Sequence, residues 1–341
     1  MLIGNSLKTA ASSKVRETWV DAVKGFTISL VVFHHVFVGV KNAIGIPEWV
    51  VDIYMLTTPI RMPLFFLVAG FYAKKSIFGE RRKFIDSKVI HFLYFYILWN
   101  TISVLCRVAL SKYTNNQVDI YEVFYFLWSP SFTLWFIYAL MFAFIIARVS
   151  RHFSFVAQIL CSLSLSIFSI AKGNELLPYF IAALLKFYPF FLVGIYGSVR
   201  VRGWVKNSSA FTPLVCLSLY IAISILILNH GQWLKEVLYY PLAALGACVI
   251  LTLMYRLNNR RLGKIFTIIG GYSLYIYLIH FLPAAGSRKV SSFLGFGNDP
   301  AFTILLGTIL SIIFCIIAFK IFANISFLRF LVTRPKLFKQ L

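Results

Sequence analysis

The sequence predicts an all-α, polytopic integral membrane protein of about ten transmembrane helices, with both termini in the cytoplasm. Three observations predict it. Of the 341 residues, 60% are hydrophobic and only 13% charged, where a soluble domain of this length carries about 25% charged residues. Apolar runs of roughly 20 residues, the length that spans a bilayer core, recur along the chain. Basic residues are dense in alternate connections and sparse in the others, as orientation in a membrane requires.

Taken in order, the first span covers 22–40, entered past Asp21 and closed by Lys41. The second covers 51–72 and ends at Lys74 and Lys75; the third covers 89–110, from Lys88 to the polar interval Ser111–Glu122. The fourth, 132–148, and the fifth, 153–171, are separated only by Arg148–His152. The sixth, 177–199, stops at Arg200; the seventh covers 211–229 and the eighth, 237–255, stops at Arg256. The ninth, 265–284, follows Lys264, and the tenth covers 301–325. On this frame 22 of the 33 Lys and Arg fall in one set of connections and the tails, and six in the alternate set. Basic residues in short loops stay in the cytoplasm, so the net charge of +22 is mainly a topology signal, and no nucleic-acid partner is expected. The basic surface is placed to meet anionic lipid or a phosphorylated ligand.

One membrane domain is expected over 1–341, with short cytoplasmic tails at about 1–20 and 326–341 and no secretory signal, because the first residues are polar before the first apolar run. Cys106, Cys161, Cys216, Cys248 and Cys315 stand apart in or beside apolar runs, without a CxxC pair. They read as small buried hydrophobes.

Ionisable groups at bilayer depth cost at least about 2.5–3.5 kcal/mol and mark function by default. Four places stand out: the adjacent His34 and His35 in the first span, Arg61 in the second, Lys186 in the sixth and His280 in the ninth. Asn100 adds a neutral polar group in the third. Acids are scarce at that depth, so the partner expected for Arg61 and Lys186 is a bound anion. Neighbouring residues on a helix point about 100° apart, so one histidine is expected at a cavity and the other in packing or hydrogen bonding. A neutral imidazole suits proton abstraction from a hydroxyl, and equally a proton relay in a transporter. No carboxylate–histidine spacing suggests a metal.

These segments resemble the membrane-bound acyltransferase 3 family, most closely its fucose 4-O-acetylase and exopolysaccharide O-acetyltransferase branch. "WVDAVKGFTISLVVFHH" is similar to its opening pattern, with Asp21, Lys24 where Arg is frequent, Gly25 and, in register, His35. "IRMPLFFLVAGFYAKK" looks like its second segment, with Ala69 at a usual Ser; "TLWFIYALMF", "FYPFFLVGIYGS" and "IIGGYSLYIYLIHFL" resemble three later ones. The matches run in order from Trp19 to about Leu282. "SKVIHFLYFYILW" departs from the family's Arg-rich, Pro-containing run, carrying Lys88 and His91 instead.

The resemblance implies an acyl-CoA-dependent O-acetyltransferase of a bacterial inner membrane. Acetyl would pass from cytoplasmic acetyl-CoA to a sugar hydroxyl of a polysaccharide or its lipid-linked precursor. On that reading His35 is the general base or a transient acyl carrier, and Arg61 and Lys186 steady the carbonyl oxygen. Asp21 orients Lys24. Arg81, Arg82, Lys83, Lys88 and His91 hold the CoA phosphates, and Lys186, Asn100, Trp135, Ser273, Tyr277 and His280 face the acceptor. The alternative is a transporter of an anionic solute or lipid-linked sugar; the sequence offers no paired Gly/Pro-broken helices to support it.

Overall fold

The computed structural model describes residues 17–109, 121–125, 127, 133–230 and 232–335. Lys8, Lys14, Arg16, Lys112, Lys336, Lys339 and most of the Ser111–Glu122 interval lie outside these residues. Among the described residues there is no strand. The long helices are α1 (Thr18–Ile44), α2 (Glu48–Phe71), α3 (His91–Ala109), α4 (Trp135–Val149), α5 (Phe155–Leu176), α6 (Tyr179–Asn207), α7 (Thr212–His230) and α8 (Tyr239–Leu257). They are followed by α9 (Arg261–Gly271), α10 (Ser273–Ile279), α11 (Phe281–Phe293) and α12 (Pro300–Asn324).

Eight helices among the described residues are long and apolar enough to cross a membrane, counting Arg81–Ala109 as one. The bent pair α9–α10 makes a ninth. The shorter apolar stretch Phe155–Ala171 stands where the fifth span is expected. One 3₁₀ turn, Ser150–His152, separates it from α4. The expected ninth span, read as continuous over 265–284, is broken: α9 and α10 meet at Tyr272 with a 63° bend, whereas the backbone stays helical through His280, whose N–H donates to the Ile276 oxygen at 3.0 Å.

Local chemistry explains several boundaries. Asp299 caps α12, its carboxylate accepting from the Phe302 N–H at 3.0 Å, with Pro300 in the first turn. Pro59 and Pro63 lie inside α2 and remove two backbone donors. Hydroxyls tie back neighbouring carbonyls: Thr57 and Thr58 donate to the Tyr54 oxygen and Tyr220 donates to the Leu56 oxygen.

The bundle is organised around α1, which packs against α2, α8, α9, α10, α11 and α12. Two of its crossings are backbone on backbone. A Cβ on Gly25 of α1 would overlap the Phe266 carbonyl oxygen of α9, and one on Gly270 would overlap the Asp21 carbonyl oxygen. A Cβ on Gly70 of α2 would overlap the Phe191 oxygen of α6, and one on Gly194 the Leu67 oxygen. Small residues at such crossings are how helices associate where lipid offers no hydrophobic drive.

The described ends of the chain lie on one face. Lys24, one turn into α1, sits over Tyr72 just past α2. Beyond α2 the chain enters α3 through a short α-turn (Arg81–Phe84) and a π-helical turn (Ile85–Ile90). The segment expected as a C-terminal tail folds onto that entry. Buried Arg334 pairs with Asp86, Trp99 Nε1 donates to the Leu331 oxygen at 3.0 Å, and the Tyr94 hydroxyl donates to the Phe330 oxygen at 2.9 Å. Lys74, Lys75, Arg148 and Arg202 gather here too, so this is termed the basic face.

Gly25→Val forces α1 off α9 and is expected to cost about 3 kcal/mol or more, the upper range for overpacking. Gly203→Val, at a position with no atom near the added carbon, is expected to be neutral. Thermal unfolding of the two variants in detergent, followed by intrinsic fluorescence, checks the difference.

Candidate active site

Both histidines of α1 line one cavity of about 220 Å³, with Tyr54, Arg61 and Met62 of α2, Tyr277 of α10, and Thr133, Trp135, Phe136 and Tyr179 from the starts of α4 and α6. The expectation that only one histidine reaches a cavity is therefore corrected. His34 Nδ1 shares a 2.8 Å hydrogen bond with the Tyr54 hydroxyl, and the rings stack 5.7 Å apart at 18°. The His35 ring is 4.8 Å from His34 and 4.7 Å from His280, between centroids.

Arg61 is 7% exposed. Its guanidinium lies 5.2 Å from the centroid of the Tyr54 ring, a favourable cation–π placement. Its buried Nη1 has no hydrogen-bond partner among the described residues. A buried charged donor left unmade is costly, so this nitrogen is poised to receive an oxygen from whatever enters. Tyr277 is anchored rather than free, its hydroxyl accepting from the Phe136 N–H at 3.0 Å. Trp135 meets Tyr179 edge-on at 5.6 Å and stacks with Phe187 at 6.0 Å. The cavity thus has an aromatic floor and two kinds of nitrogen: imidazoles to move a proton and a guanidinium to hold negative charge.

Other residues singled out in the sequence lie elsewhere. Lys186 does not line the cavity; its Nζ stands 3.8 Å from the Tyr239 ring centroid, so an aromatic face stabilises the charge for which a bound anion was expected. Asn100 is fully buried and donates to the Tyr96 oxygen at 2.9 Å, away from the cavity wall. Ser273 opens α10 beside the bend and is not in the lining. His280 is fully buried and also outside the lining, packed behind His35. Asp21 and Lys24 form a 3.1 Å ion pair at the basic end of α1. At 1.5 Å per residue Lys24 is roughly 16 Å and Asp21 roughly 21 Å below His35, too far to touch atoms reacting there. Beside them Glu17 pairs with Arg202 at 2.7 Å, and the Arg202 guanidinium lies 5.3 Å from the Tyr72 ring under Lys24.

A second cavity of about 430 Å³ opens on the basic face between Arg81, Phe84, Ile85 and Val89 on one side and Ile145, Arg148, Val149, Arg151 and His152 on the other. Of the five residues expected to hold CoA phosphates, Arg81 lines it. Arg82 and Lys83 are exposed, Lys83 pairing with Glu80 at 3.0 Å. Lys88 is turned onto the Phe144 ring at 4.6 Å, and His91 meets Phe95 edge-on at 5.0 Å. Arg148 donates to the carbonyl oxygens of Ser76, Ile77 and Gly79, and Arg151 to that of Ile77. These two arginines hold the turn beyond α2, and Arg151 Nε also donates to His152 Nε2 at 3.3 Å, so Arg81 is the more available group. The residues fit a phosphorylated ligand by charge, with part of their hydrogen-bonding capacity already used. No group of three His, Cys, Asp or Glu among the described residues is arranged to hold a metal.

The family model for the acyltransferase domain matches residues 17–320. The chain belongs to the acyltransferase 3 family. It is similar to inner membrane protein YcfT of Escherichia coli strain K12, with 23% identity over 303 residues, 78% of this chain and 79% of that protein. No solved structure gives a significant match. Membership in an acyltransferase family favours the enzyme over the transporter, even though the broken α9–α10 span is the kind of feature transporters also use.

Tyr54, Tyr179 and Thr133 have no counterpart among the residues picked from the sequence. Nothing in an oily run distinguishes a tyrosine that lines a cavity from one that fills a gap. The grouping Arg148, Arg151 and His152 was visible, but served there only as a topology signal.

The two cavity histidines are expected to react with diethyl pyrocarbonate before His280 does, since His280 has no exposed surface. Peptide mass spectrometry over a time course in detergent measures the order.

Proposed function

We propose that this acyltransferase moves an acetyl group from acetyl-CoA, bound from the basic face, to a sugar hydroxyl presented at the opposite end of the bundle. The acceptor is a surface or exported polysaccharide or its lipid-linked precursor. The observation that carries the reading is the joint lining of one cavity by His35, His34 and a buried guanidinium with an unpartnered nitrogen. That cavity lies toward the starts of α4 and α6, away from the basic cavity between the far end of α4 and the segment that follows α2. On this reading donor and acceptor approach from opposite faces. An aromatic wall of Trp135, Tyr54 and Tyr179 suits the apolar face of a sugar ring.

The chemistry follows from the residue types. His35 takes the proton of the acceptor hydroxyl as its oxygen attacks the thioester carbonyl. Negative charge collects on the carbonyl oxygen, and Arg61 Nη1 supplies the donor it needs in a water-poor site. The carbon–sulfur bond then breaks, and the departing thiolate receives the proton held by His35. The acyl group ends on oxygen, and CoA leaves as the free thiol. Tyr54 orients His34 beside this path. At the basic face Arg81 and His152 meet the CoA phosphates; that face is the cytoplasmic one, in a bacterial inner membrane. The Asp21–Lys24 and Glu17–Arg202 pairs brace the inner end of α1 and stay outside the reaction.

Purified protein given acetyl-CoA and acceptor glycan is expected to release CoA and to add one acetyl per glycan repeat. His35→Ala is expected to lower turnover by about 10²–10⁴-fold, and Arg61→Met by about 10²–10³-fold, with unfolding temperatures retained. Thiol titration and glycan mass spectrometry provide the readouts; full turnover by His35→Ala overturns the assignment.

A further inference from the structure

Arg61 carries a full charge that the acyl-transfer steps use only in passing. It is buried, and no Asp or Glu is among the residues that line its cavity. Asp52, on the same helix, is exposed and nine residues distant, roughly 14 Å along the axis. Other cations show how this fold meets such a charge. Lys24, Arg202 and Arg334 pair with Asp21, Glu17 and Asp86, and Lys186 Nζ stands 3.8 Å from the Tyr239 ring centroid. The Arg61 guanidinium has the Tyr54 ring at 5.2 Å, and its buried Nη1 has no hydrogen-bond partner among the described residues.

A lysine or a histidine can escape the cost of burial by giving up its proton, but a guanidinium keeps its charge. A buried charge of that kind needs an opposite charge close by. The carbonyl oxygen of a thioester is negative only while the tetrahedral species lasts, so it cannot be the partner between turnovers. The cavity itself describes what can be. It measures about 220 Å³ and is walled by Tyr54, Trp135, Phe136 and Tyr179 beside the guanidinium. Aromatic rings carry partial positive charge at their edges and offer few groups to satisfy a large, many-oxygened ion. A small ion with one negative charge suits one cation, one unmade donor and such walls.

We propose that this cavity is also an anion site: between turnovers the Arg61 guanidinium holds a small monovalent anion of the size of chloride, which leaves when the acyl carbonyl arrives. The anion neutralises the cation in the resting protein. The same guanidinium then meets the carbonyl oxygen as that oxygen gains charge, so one negative partner replaces another. The cation goes uncompensated only while the neutral thioester is bound. Its demand is therefore greatest immediately before the step that makes the oxygen negative. An interaction of that kind favours the transition state over the bound substrate, which is what accelerates a reaction. It also makes the anion a competitor of the acyl donor, although the CoA phosphates are bound at the basic face.

Binding of the anion can be read without turnover; its expulsion rests on the proposed acyl transfer. Full-length protein in detergent is titrated with sodium chloride while its unfolding temperature is followed by intrinsic fluorescence. A saturable rise is expected, as for any ligand that binds the folded state alone. In Arg61→Met, or in Arg61→Gln should the methionine variant not fold, the saturable rise is expected to be lost. Lys264→Met removes an exposed cation instead and is expected to keep it, which separates the site from a general effect of salt. In the transfer assay chloride is expected to raise KM for acetyl-CoA and leave kcat unchanged, by roughly tenfold at ten times its dissociation constant. The half-maximal concentration should agree with that of the thermal titration. No saturable rise in the unaltered protein overturns the proposal, as does an equal rise in the Arg61 variants. Chloride that binds through Arg61 without changing KM overturns the exchange with the acyl carbonyl. Chloride binding through Arg61 in a protein that releases no CoA and acetylates no glycan keeps the anion site and sinks the acyl-transfer reading.

Discussion

The contact between the backbones of α1 and α9 is the constraint on which the rest of the molecule depends. Gly25 and Gly270 let the two main chains meet where any side chain would hold them apart. The close approach fixes α1 in depth and rotation against the broken span. His35 is carried on one partner of that contact, and His280 follows from the other by way of a single short helix. A matching crossing between α2 and α6, at Gly70 and Gly194, sets Arg61 and Tyr54 opposite the same cavity as Tyr179. Two glycine pairs thus bring together residues from four stretches of chain.

A second regularity is how cations are accommodated where acids are scarce. The chain has 33 basic and 11 acidic residues. Some pairs form at the basic face, as Asp21–Lys24, Glu17–Arg202 and Asp86–Arg334 do. Elsewhere aromatic faces take over: Tyr239 for Lys186, Phe144 for Lys88 and Tyr54 for Arg61. A ring face attracts a cation without bringing a second group that must be desolvated. Arg61 differs from the others because the aromatic contact leaves Nη1 without a hydrogen bond among the described residues, and the proposed role of Arg61 in acyl transfer rests on that residual demand.

Much of the architecture was legible in the sequence because lipid imposes it. Spans of about 20 apolar residues with basic residues at their ends can be counted without knowing the packing. His35 and Arg61 were legible for the same reason, as polar groups at a depth where they are expensive. The break at Tyr272 was not, because hydropathy stays high through "IIGGYSLYIYLIH" while the main chain turns. Depth also misled for Lys186 and Asn100: it identifies a polar group that needs a partner, but not whether that partner is a substrate, a ring or a carbonyl. Which tyrosines line the cavity depends on pairings between distant segments, information that periodicity within a single helix does not carry.

The docking of Ser326–Arg334 onto the π-helical turn bears on how the protein is made. Ile85, next to the Asp86 that Arg334 holds, is part of the wall of the basic cavity. That wall is clamped by residues that follow α12, the last of the helices in chain order. During synthesis the helices carrying His35 and Arg61 enter the bilayer long before the clamp exists. The entrance on the basic face is thus finished only once Arg334 has been made, so a nascent chain stalled in α12 holds the cavity histidines beside an entrance that still lacks its clamp.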